Sequence, residues 1–494
     1  MANSFDQMNQ YKKMTLAEVA RRCYAGTIQK DDANEIAYNL IPHEADRVRC
    51  CVYKEREIIR ERAYLAMGYA PDGSEPKPGQ FVYVLEAACD GCEIHRVRIT
   101  DNCRKCLFKA CVSACKFDAI YEGDSKMHIK YDKCKACTMC AKACPYGSIL
   151  LSDRPCHRAC PTGALLYREG EIAEIKEEDC VNCGQCAGAC PFGAVSEVSY
   201  IRPLIQDMNE GKTTVAMVAP AILGQWGKSH INQVYQALYK IGFTHIVEVA
   251  VGADMTTKNE AEEALEAKKE GRKITTSCCP AFVSYIKMKF PEVYKKHTSD
   301  VLSPMAITAR IAREKYGKDA KTVFVGPCVA KKAERLLPKN IENIDYVLTF
   351  EEITAMMEAK GIDPIQMEDE NANVEPGSVA ARNFCVTGGV AASLNHYLVE
   401  KGVDDRLTLK TANGTQLVVK YVKELAQGKQ EEDVLEGMMC EGGCMGGVCS
   451  QASNLIIAQN HANAENKAVV HVKINDASIR YPNIHCHFDK ETDE

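Results

Sequence analysis

The chain has 494 residues, enough for two or three domains, and its 46% hydrophobic content supports a sizeable core. The formal charge is −6, and no basic run points to nucleic acid or to a membrane surface. The longest apolar runs, such as 214–223, fall short of the roughly 18 residues that a membrane span needs.

Cysteine use decides more. There are 27 cysteines. Residues 1–13 are polar and carry no apolar signal core, so the expected compartment is cytoplasmic, where thiols stay reduced. Reduced cysteines in this number point to metal and away from a disulfide scaffold.

In chain order, residues 1–80 read as a short helical N-terminal region. Thr15 is a plausible N-cap for a first helix, and a second helix is expected over about 44–67, with Cys50 and Cys51 as inert thiols inside it. Turn chemistry at 71–79 (PDGSEPKPG) marks a boundary.

Residues 81–205 hold an internal repeat, read as a ferredoxin-like α+β domain with several iron–sulfur clusters. The first module is Cys103-x2-Cys106-x4-Cys111-x3-Cys115, and the second is Cys134-x2-Cys137-x2-Cys140-x3-Cys144-Pro145. A fragment follows with Cys156 and Cys160-Pro161, then a last module, Cys180-x2-Cys183-x2-Cys186-x3-Cys190-Pro191. The second and last match the bacterial ferredoxin run, in which three thiolates of one loop face one cube and the fourth goes to the other cluster. Zinc ribbons would show CxxC pairs without the third and fourth cysteine and the proline.

Two pairings are compatible with this spacing. In one, the second and last modules exchange fourth cysteines, giving Cys134, Cys137, Cys140 with Cys190 and Cys180, Cys183, Cys186 with Cys144, while the first module uses its own four. The other resembles the four-module ferredoxin subunits of respiratory oxidoreductases. It joins Cys103, Cys106, Cys111 with Cys190; Cys180, Cys183, Cys186 with Cys115; and Cys134, Cys137, Cys140 with Cys160, leaving Cys144 and Cys156 as relics. This second pairing is preferred, because it explains why the third module lacks its first two cysteines. Both predict three accessory [4Fe–4S] clusters. Cys89-x2-Cys92 reads as a zinc half-site or plain structure.

Residues 206–450 alternate between short apolar runs and helical stretches. Buried strands are expected at 214–218, 246–251, 322–325 and 346–348, with helices at 231–241, 259–269, 305–316 and 351–360. That pattern predicts an α/β domain with mainly parallel strands, whose ligand sits at the carboxyl ends of the strands. Residues 451–494 read as a polar tail with a possible strand at 468–474. Its His485, Cys486 and His487 are too close together to reach one ion in concert.

Three segments of the α/β region carry the remaining chemistry: Thr276-Ser277-Cys278-Cys279-Pro280, Pro327-Cys328-x2-Lys331-x2-Glu334, and Cys440-x3-Cys444. Cys279, Cys328, Cys440 and Cys444 supply the four thiolates of one more cubane. Cys278 is left beside them as a thiol able to carry protons.

These three segments, in this order and preceded by ferredoxin modules, resemble the [FeFe]-hydrogenases over roughly residues 80–450. The resemblance implies an H-cluster: a [4Fe–4S] cube on Cys279, Cys328, Cys440 and Cys444, joined through Cys444 to a di-iron unit with CO, cyanide and a bridging dithiolate amine. It implies that Cys278 hands protons to the amine, that Lys331 binds a cyanide, and that Pro220, Ala221 and Met438 line the pocket. Glu260 and Glu263, with Thr298 or Ser299 as the hydroxyl, align with the family's proton relay. Glu334 is expected to be a buried partner of a pocket residue.

The implied activity is the reversible reaction H2 = 2 H+ + 2 e−, with ferredoxin or a similar one-electron carrier as partner and maturation proteins to install the di-iron unit. No nicotinamide or flavin fingerprint is present. A non-catalytic iron–sulfur assembly protein and a hydrogen sensor are the alternatives. Departures from the better-known members suggest a divergent, group B-like branch. Gly326 replaces a methionine, leaving expected space beside the di-iron unit, Phe282 replaces a tryptophan, Met305 replaces a glutamine, and Cys449 is an added thiol near the cluster.

Overall fold

The computed structural model describes residues 4–43, 49–92, 95–166, 171–451 and 472–490. Two parallel sheets organise the larger part. The first has four strands in the order His245–Glu248, Thr214–Val218, Lys321–Gly326, Tyr346–Thr349. Its strands are covered on both faces, as the near-continuous apolar runs require. Along Thr214–Val218, Val215 and Met217 face the helix Pro304–Tyr316, while Ala216 and Val218 face the opposite core. The second sheet has three parallel strands, in the order Ile274–Thr275, Val434–Met438, Leu409–Asn413. None of these three is expected from the sequence: Ile274–Thr275 has two residues, and Leu409–Asn413 and Val434–Met438 are interrupted by polar residues or glycine.

Three of the four expected strands and the helices at 231–241, 305–316 and 351–360 agree with the structure to within a residue or two. The strand expected at 246–251 is corrected: it ends at Glu248, and a helix starts at Val249 and continues to Lys269. A short apolar run cannot be assigned by periodicity alone. This run is apolar all round because its helix is buried among the helices Pro304–Tyr316, Gly389–Glu400 and Ile474–Arg480. Gly252 permits the closest of these crossings. A Cβ there would stand 2.3 Å from Thr308 Oγ1 and 2.5 Å from the Pro304 carbonyl oxygen.

The N-terminal helices Ser4–Tyr24, Asp32–Leu40 and Val52–Ala66 pack together, and the first of them lies against the helices Phe350–Ala359 and Ile201–Asn209. Leu16, Val19, Ala20 and Cys23 share one apolar core with Ile353, Met356 and Met357 of the helix Phe350–Ala359. Thr15 is not an N-cap: the helix begins at Ser4, and the Thr15 hydroxyl donates to the Tyr11 carbonyl at 2.7 Å. Cys50 and Cys51 precede their helix and do not lie inside it; residues 44–48 of the expected helix lie outside the described residues. In the tail, residues 468–471 of the expected strand also lie outside them, and Ile474 opens a helix. Among the described residues no helix is long and apolar enough to cross a membrane.

The cysteine-rich region consists of two ferredoxin-like units, one inside the other. The inner unit pairs Val97–Ile99 with Ile149–Leu151 and Ile120–Glu122 with Met127–Ile129, both antiparallel, around its own core. The outer unit pairs Val82–Val84 with Val195–Glu197 and Leu165–Leu166 with Glu174–Ile175 in the same pattern. Each carries two short helices that begin beside its cysteines. The inner unit occupies the loop between Cys92 and Cys156 of the outer one.

Candidate active site

The two parallel sheets place their carboxyl ends around a mainly apolar cavity of about 80 Å³. Ala219 and Pro220 follow the strand Thr214–Val218, Cys278 and Cys279 follow Ile274–Thr275, Pro327 and Cys328 follow Lys321–Gly326, and Met439 and Cys440 follow Val434–Met438. Crevices at strand carboxyl ends are where open α/β sheets hold ligands. Of the residues singled out in the sequence, Pro220, Ala221, Cys278, Cys279, Cys328, Lys331, Met438, Cys440 and Cys444 all line this cavity. Phe384 and Cys385 line it too and were not anticipated, since they come from the short 3-10 helix Asn383–Cys385, whose sequence carries no recognised spacing.

Burial raises the thiols of Cys279, Cys328 and Cys440, that of Cys328 to about 11. Such thiols ionise when a metal displaces the proton, so the donor set suits a bound cluster and disfavours free thiolates. Lys331 is 7% exposed; its ammonium donates to Glu334 Oε2 at 2.6 Å and to the Cys278 carbonyl at 3.2 Å. Burial works against its charge, but the Glu334 carboxylate outweighs that and keeps it protonated. Glu334 is held in turn by the Ser303 hydroxyl, so it is a buried partner of the pocket lysine.

Gly326 leaves less room than its small size suggests. The ring of Phe324 lies over it, where a Cβ would come within 2.6 Å, and that ring lines the cavity. The space expected at Gly326 is therefore filled by Phe324. Phe282 is fully buried against Gly437, and Met305 lines the cavity wall.

Outward from Cys278 runs a line of acids that begins with the buried Glu260 and continues through the half-buried Glu263 and Asp300. Glu260 Oε1 accepts from the Ser277 amide at 2.8 Å and the Ser277 hydroxyl at 2.7 Å. Burial pushes its carboxyl up to about 7, and the Glu260 charge, after burial itself, helps push the Cys278 thiol upward. Glu263, one helical turn on, accepts from the Ser299 hydroxyl at 2.6 Å and is also raised by burial. Ser299 is thus the hydroxyl of this line. Thr298 bonds Thr275 at 3.3 Å instead. Asp300 follows, paired with His487 at 2.8 Å, so His487 takes part in a hydrogen-bond pair while Cys486 is buried in an apolar cluster.

The accessory cysteines fall into groups that neither expected pairing describes. Cys103, Cys106 and Cys111 meet Cys144 around one cavity, and Cys134, Cys137 and Cys140 meet Cys115 around another. The first and second modules exchange fourth cysteines because they form the two halves of the inner unit. Cys180, Cys183 and Cys186 lie within electrostatic reach of Cys160. Cys190 belongs with none of these three; its neighbours are Cys156, Cys89 and Cys92. Cys144 and Cys156 are therefore not relics. Gln185, also unanticipated, links the third group to the cavity: its Nε2 donates to Cys440 Sγ at 3.1 Å, and Cys183 neighbours Cys328.

Cys449 is buried beside Glu197, its Sγ 3.7 Å from Oε1, within a group that includes Glu351. A cation position there is already taken, because the Lys12 ammonium binds Glu197 at 2.8 Å and Glu351 at 2.5 Å.

Fold and site define an iron–sulfur protein whose ferredoxin-like arm leads to a cysteine-lined cavity between parallel sheets. Residues 212–448 match the family described as iron only hydrogenase large subunit, C-terminal domain. Residues 151–201 match the LdpA Fe-S cluster-binding domain, and residues 126–149 match a 4Fe-4S binding domain. The periplasmic [Fe] hydrogenase large subunit of Nitratidesulfovibrio vulgaris is 31% identical over 346 residues, 59% of this chain and 82% of that protein. Iron hydrogenase 1 of Clostridium pasteurianum is 27% identical over 338 residues, 58% of this chain and 57% of that protein, so the match spans little more than half of that relative. A shorter stretch, 24% of each chain, is 27% identical to the cytosolic Fe-S cluster assembly factor NAR1 of Candida dubliniensis. The chain belongs to the iron-only, or [FeFe], hydrogenase family.

Proposed function

We propose that this chain is a catalytic [FeFe]-hydrogenase that interconverts H2 with two protons and two electrons. The observation that carries this reading is the buried pair Lys331 and Cys278 on the wall of the cavity beside the cysteine quartet. A cubane alone needs four thiolates and neither of these groups. The H-cluster, when bound, supplies the iron at which H2 is made or split.

The chain's own residues supply the rest. Cys279, Cys328, Cys440 and Cys444 line the cavity together and would hold the cube of a bound H-cluster. Lys331, fixed by Glu334, offers a charge-assisted donor to an anionic ligand such as cyanide in a cavity of mainly apolar walls. Pro220, Ala221, Met438 and Phe324 exclude water from that cavity. Cys278 passes a proton between the cavity and Glu260, and Ser299 and Glu263 carry it outward toward Asp300 and His487. Glu260, with its carboxyl near neutrality, is suited to take and release that proton at physiological pH. Gln185 orients Cys440 where the accessory clusters approach the cube. A ferredoxin or similar one-electron carrier delivers or removes the electrons, and maturation proteins install the di-iron unit.

Hydrogen evolution from a reduced viologen dye by the matured protein tests this reading. Wild type should evolve hydrogen, and Cys278→Ala should lose at least about two orders of magnitude while retaining its iron, because it removes the proton donor. A fully matured wild type without activity would favour a cluster-assembly role, as the shorter match suggests.

A further inference from the structure

We infer that Cys89, Cys92, Cys156 and Cys190 hold a fourth accessory [4Fe–4S] cluster, in a ferredoxin module whose two halves are separated by an inserted ferredoxin. The expectation of three accessory clusters came from counting contiguous spacings. Four independent features point to the fourth.

The first is backbone conformation. In each of the three recognised CxxC loops, the residue before the second cysteine takes the left-handed conformation: Lys105 at φ 46°, Ala136 at φ 49° and Asn182 at φ 50°. Left-handed backbone is costly for residues with a Cβ, so its recurrence marks a shared demand of the loop. Gly91, before Cys92, has φ 53°. The Cys89–Cys92 loop therefore has the ligand-loop turn, with the residue type that adopts it most easily.

The second is topology. The inner unit runs strand, Cys103-x2-Cys106, helix with Cys111, Cys115, hairpin, last module, strand. The outer unit runs through the same sequence of parts: Val82–Val84, Cys89-x2-Cys92, the helix Pro155–Ala159 with Cys156, Cys160, hairpin, last module, Val195–Glu197. Cys89 and Cys92 stand where Cys103 and Cys106 do, and Cys190 stands where Cys144 does. The final cysteines of the two third-position helices behave alike, Cys115 serving the second inner group and Cys160 the second outer group.

The third is proximity. Cys190, Cys89 and Cys92 are all neighbours of Cys156, and Cys190 and Cys89 are neighbours of Cys92. Cys156 is buried in one apolar core, and Cys89 and Cys190 pack against it.

The fourth is charge. A cubane on four thiolates is a net anion, and a buried anion needs nearby cations. Three arginines converge on these loops, two from the helix Val52–Ala66 and its N-terminal flank and one from the start of the helix Pro155–Ala159. Arg49 donates to the carbonyls of Ala88 at 3.2 Å and Phe192 at 2.8 Å. Arg62 donates to the Gly193 carbonyl at 2.7 Å and lies within electrostatic reach of Cys190. Arg154, 2% exposed, donates to the Cys92 carbonyl at 2.8 Å. Zinc on the same four thiolates would also be anionic, so the test separates the two metals.

The fourth cluster would exchange one electron at a time with its neighbours, and it sits where the inner unit joins the outer one. The inference stands whether or not the di-iron unit is ever installed. Its test is metal and sulfide analysis with EPR of the full chain, purified anaerobically without maturation proteins. Five quartets predict about 20 iron and about 20 sulfide per chain. Cys89→Ala/Cys92→Ala should bind about 16 of each and lose one reduced-cluster spin. Should that variant fail to fold, Cys89→Ser alone serves: it keeps a weaker oxygen ligand and should change the EPR spectrum of one cluster only. A wild type that binds about 16 iron with one zinc overturns the inference, as does a variant with undiminished iron and an unchanged spectrum.

Discussion

Glu260 has one carboxylate oxygen bonded twice to Ser277, while its other oxygen, Oε2, is buried with no hydrogen-bond partner among the described residues. A buried acceptor left open is costly in a purely structural residue, and it is what a proton-transfer group requires. Glu260→Gln should lower dye-driven hydrogen turnover by about 10²- to 10³-fold with iron content unchanged, measured beside Glu263→Gln. Asp254 provides a contrast in the same helix: it is fully buried, accepts from the Ser378 amide, and has a carboxyl pushed by burial to about 8. Its folded pKa lies above its unfolded value of about 3.9, so the folded state holds a proton that the unfolded chain gives up. Its contribution is fullest at low pH and is lost as pH rises from about 4 to 8. Asp254→Asn should therefore raise the thermal midpoint relative to wild type increasingly from pH 5 to pH 8. At this scale the cysteine ligands of the cavity were legible from spacing and resemblance, and Glu260 and Glu263 from alignment. Gln185 and Phe384 were not, because a lone glutamine or phenylalanine has no signature until the fold puts it beside a thiol.

The helix Phe350–Ala359 joins the parts of the molecule. Thr349 and Glu352 form its capping box, and the Glu352 carboxylate also accepts from the fully buried Lys332 ammonium at 2.9 Å. The same ammonium donates to the Val198 carbonyl at 2.7 Å, and Glu352 accepts from the Tyr200 amide at 3.2 Å, so one ion pair fastens the outer ferredoxin unit to the α/β region. Lys332→Met leaves a buried carboxylate unpaired and should destabilise by about 3–5 kcal/mol, read by anaerobic denaturant titration. Adding Glu352→Gln should recover part of that loss by removing the charge while keeping an acceptor for the cap. Strand and helix positions in the first sheet were readable because each run has one period and ordinary length. The run at 246–251 was misread because a helix buried on all sides is as continuously apolar as a buried strand. The second sheet was missed because Ile274–Thr275 has only two residues and the other two strands, LKTAN and VLEGM, are broken by polar residues and a glycine and form no apolar run.

For the whole molecule, the decisive feature is one ferredoxin-like unit placed inside another. Contiguous spacing revealed the cysteine runs 103–115, 134–144 and 180–190, but it did not join the first two into one unit and could not connect Cys92 to Cys156 across an inserted domain. Insertions are tolerated where the host loop is exposed, and the corresponding loop of the inner unit holds Leu107, 99% exposed, and Phe108, 81% exposed. Excising residues 95–152 and closing the gap with a short polar loop should leave a folded protein with about 12 iron in three cubanes, counted by metal analysis. The N-terminal helices should keep their packing, since they share their cores with Ile353 and Met357 and with the outer unit, and not with the core of the inner unit. The central claim concerns the cavity itself, and infrared spectroscopy of the protein matured with its di-iron unit tests it most directly. The account predicts bands of iron-bound carbon monoxide and cyanide that change when hydrogen replaces an inert atmosphere. A protein with its cubanes intact, supplied with the maturation proteins, that shows no such bands would contradict it.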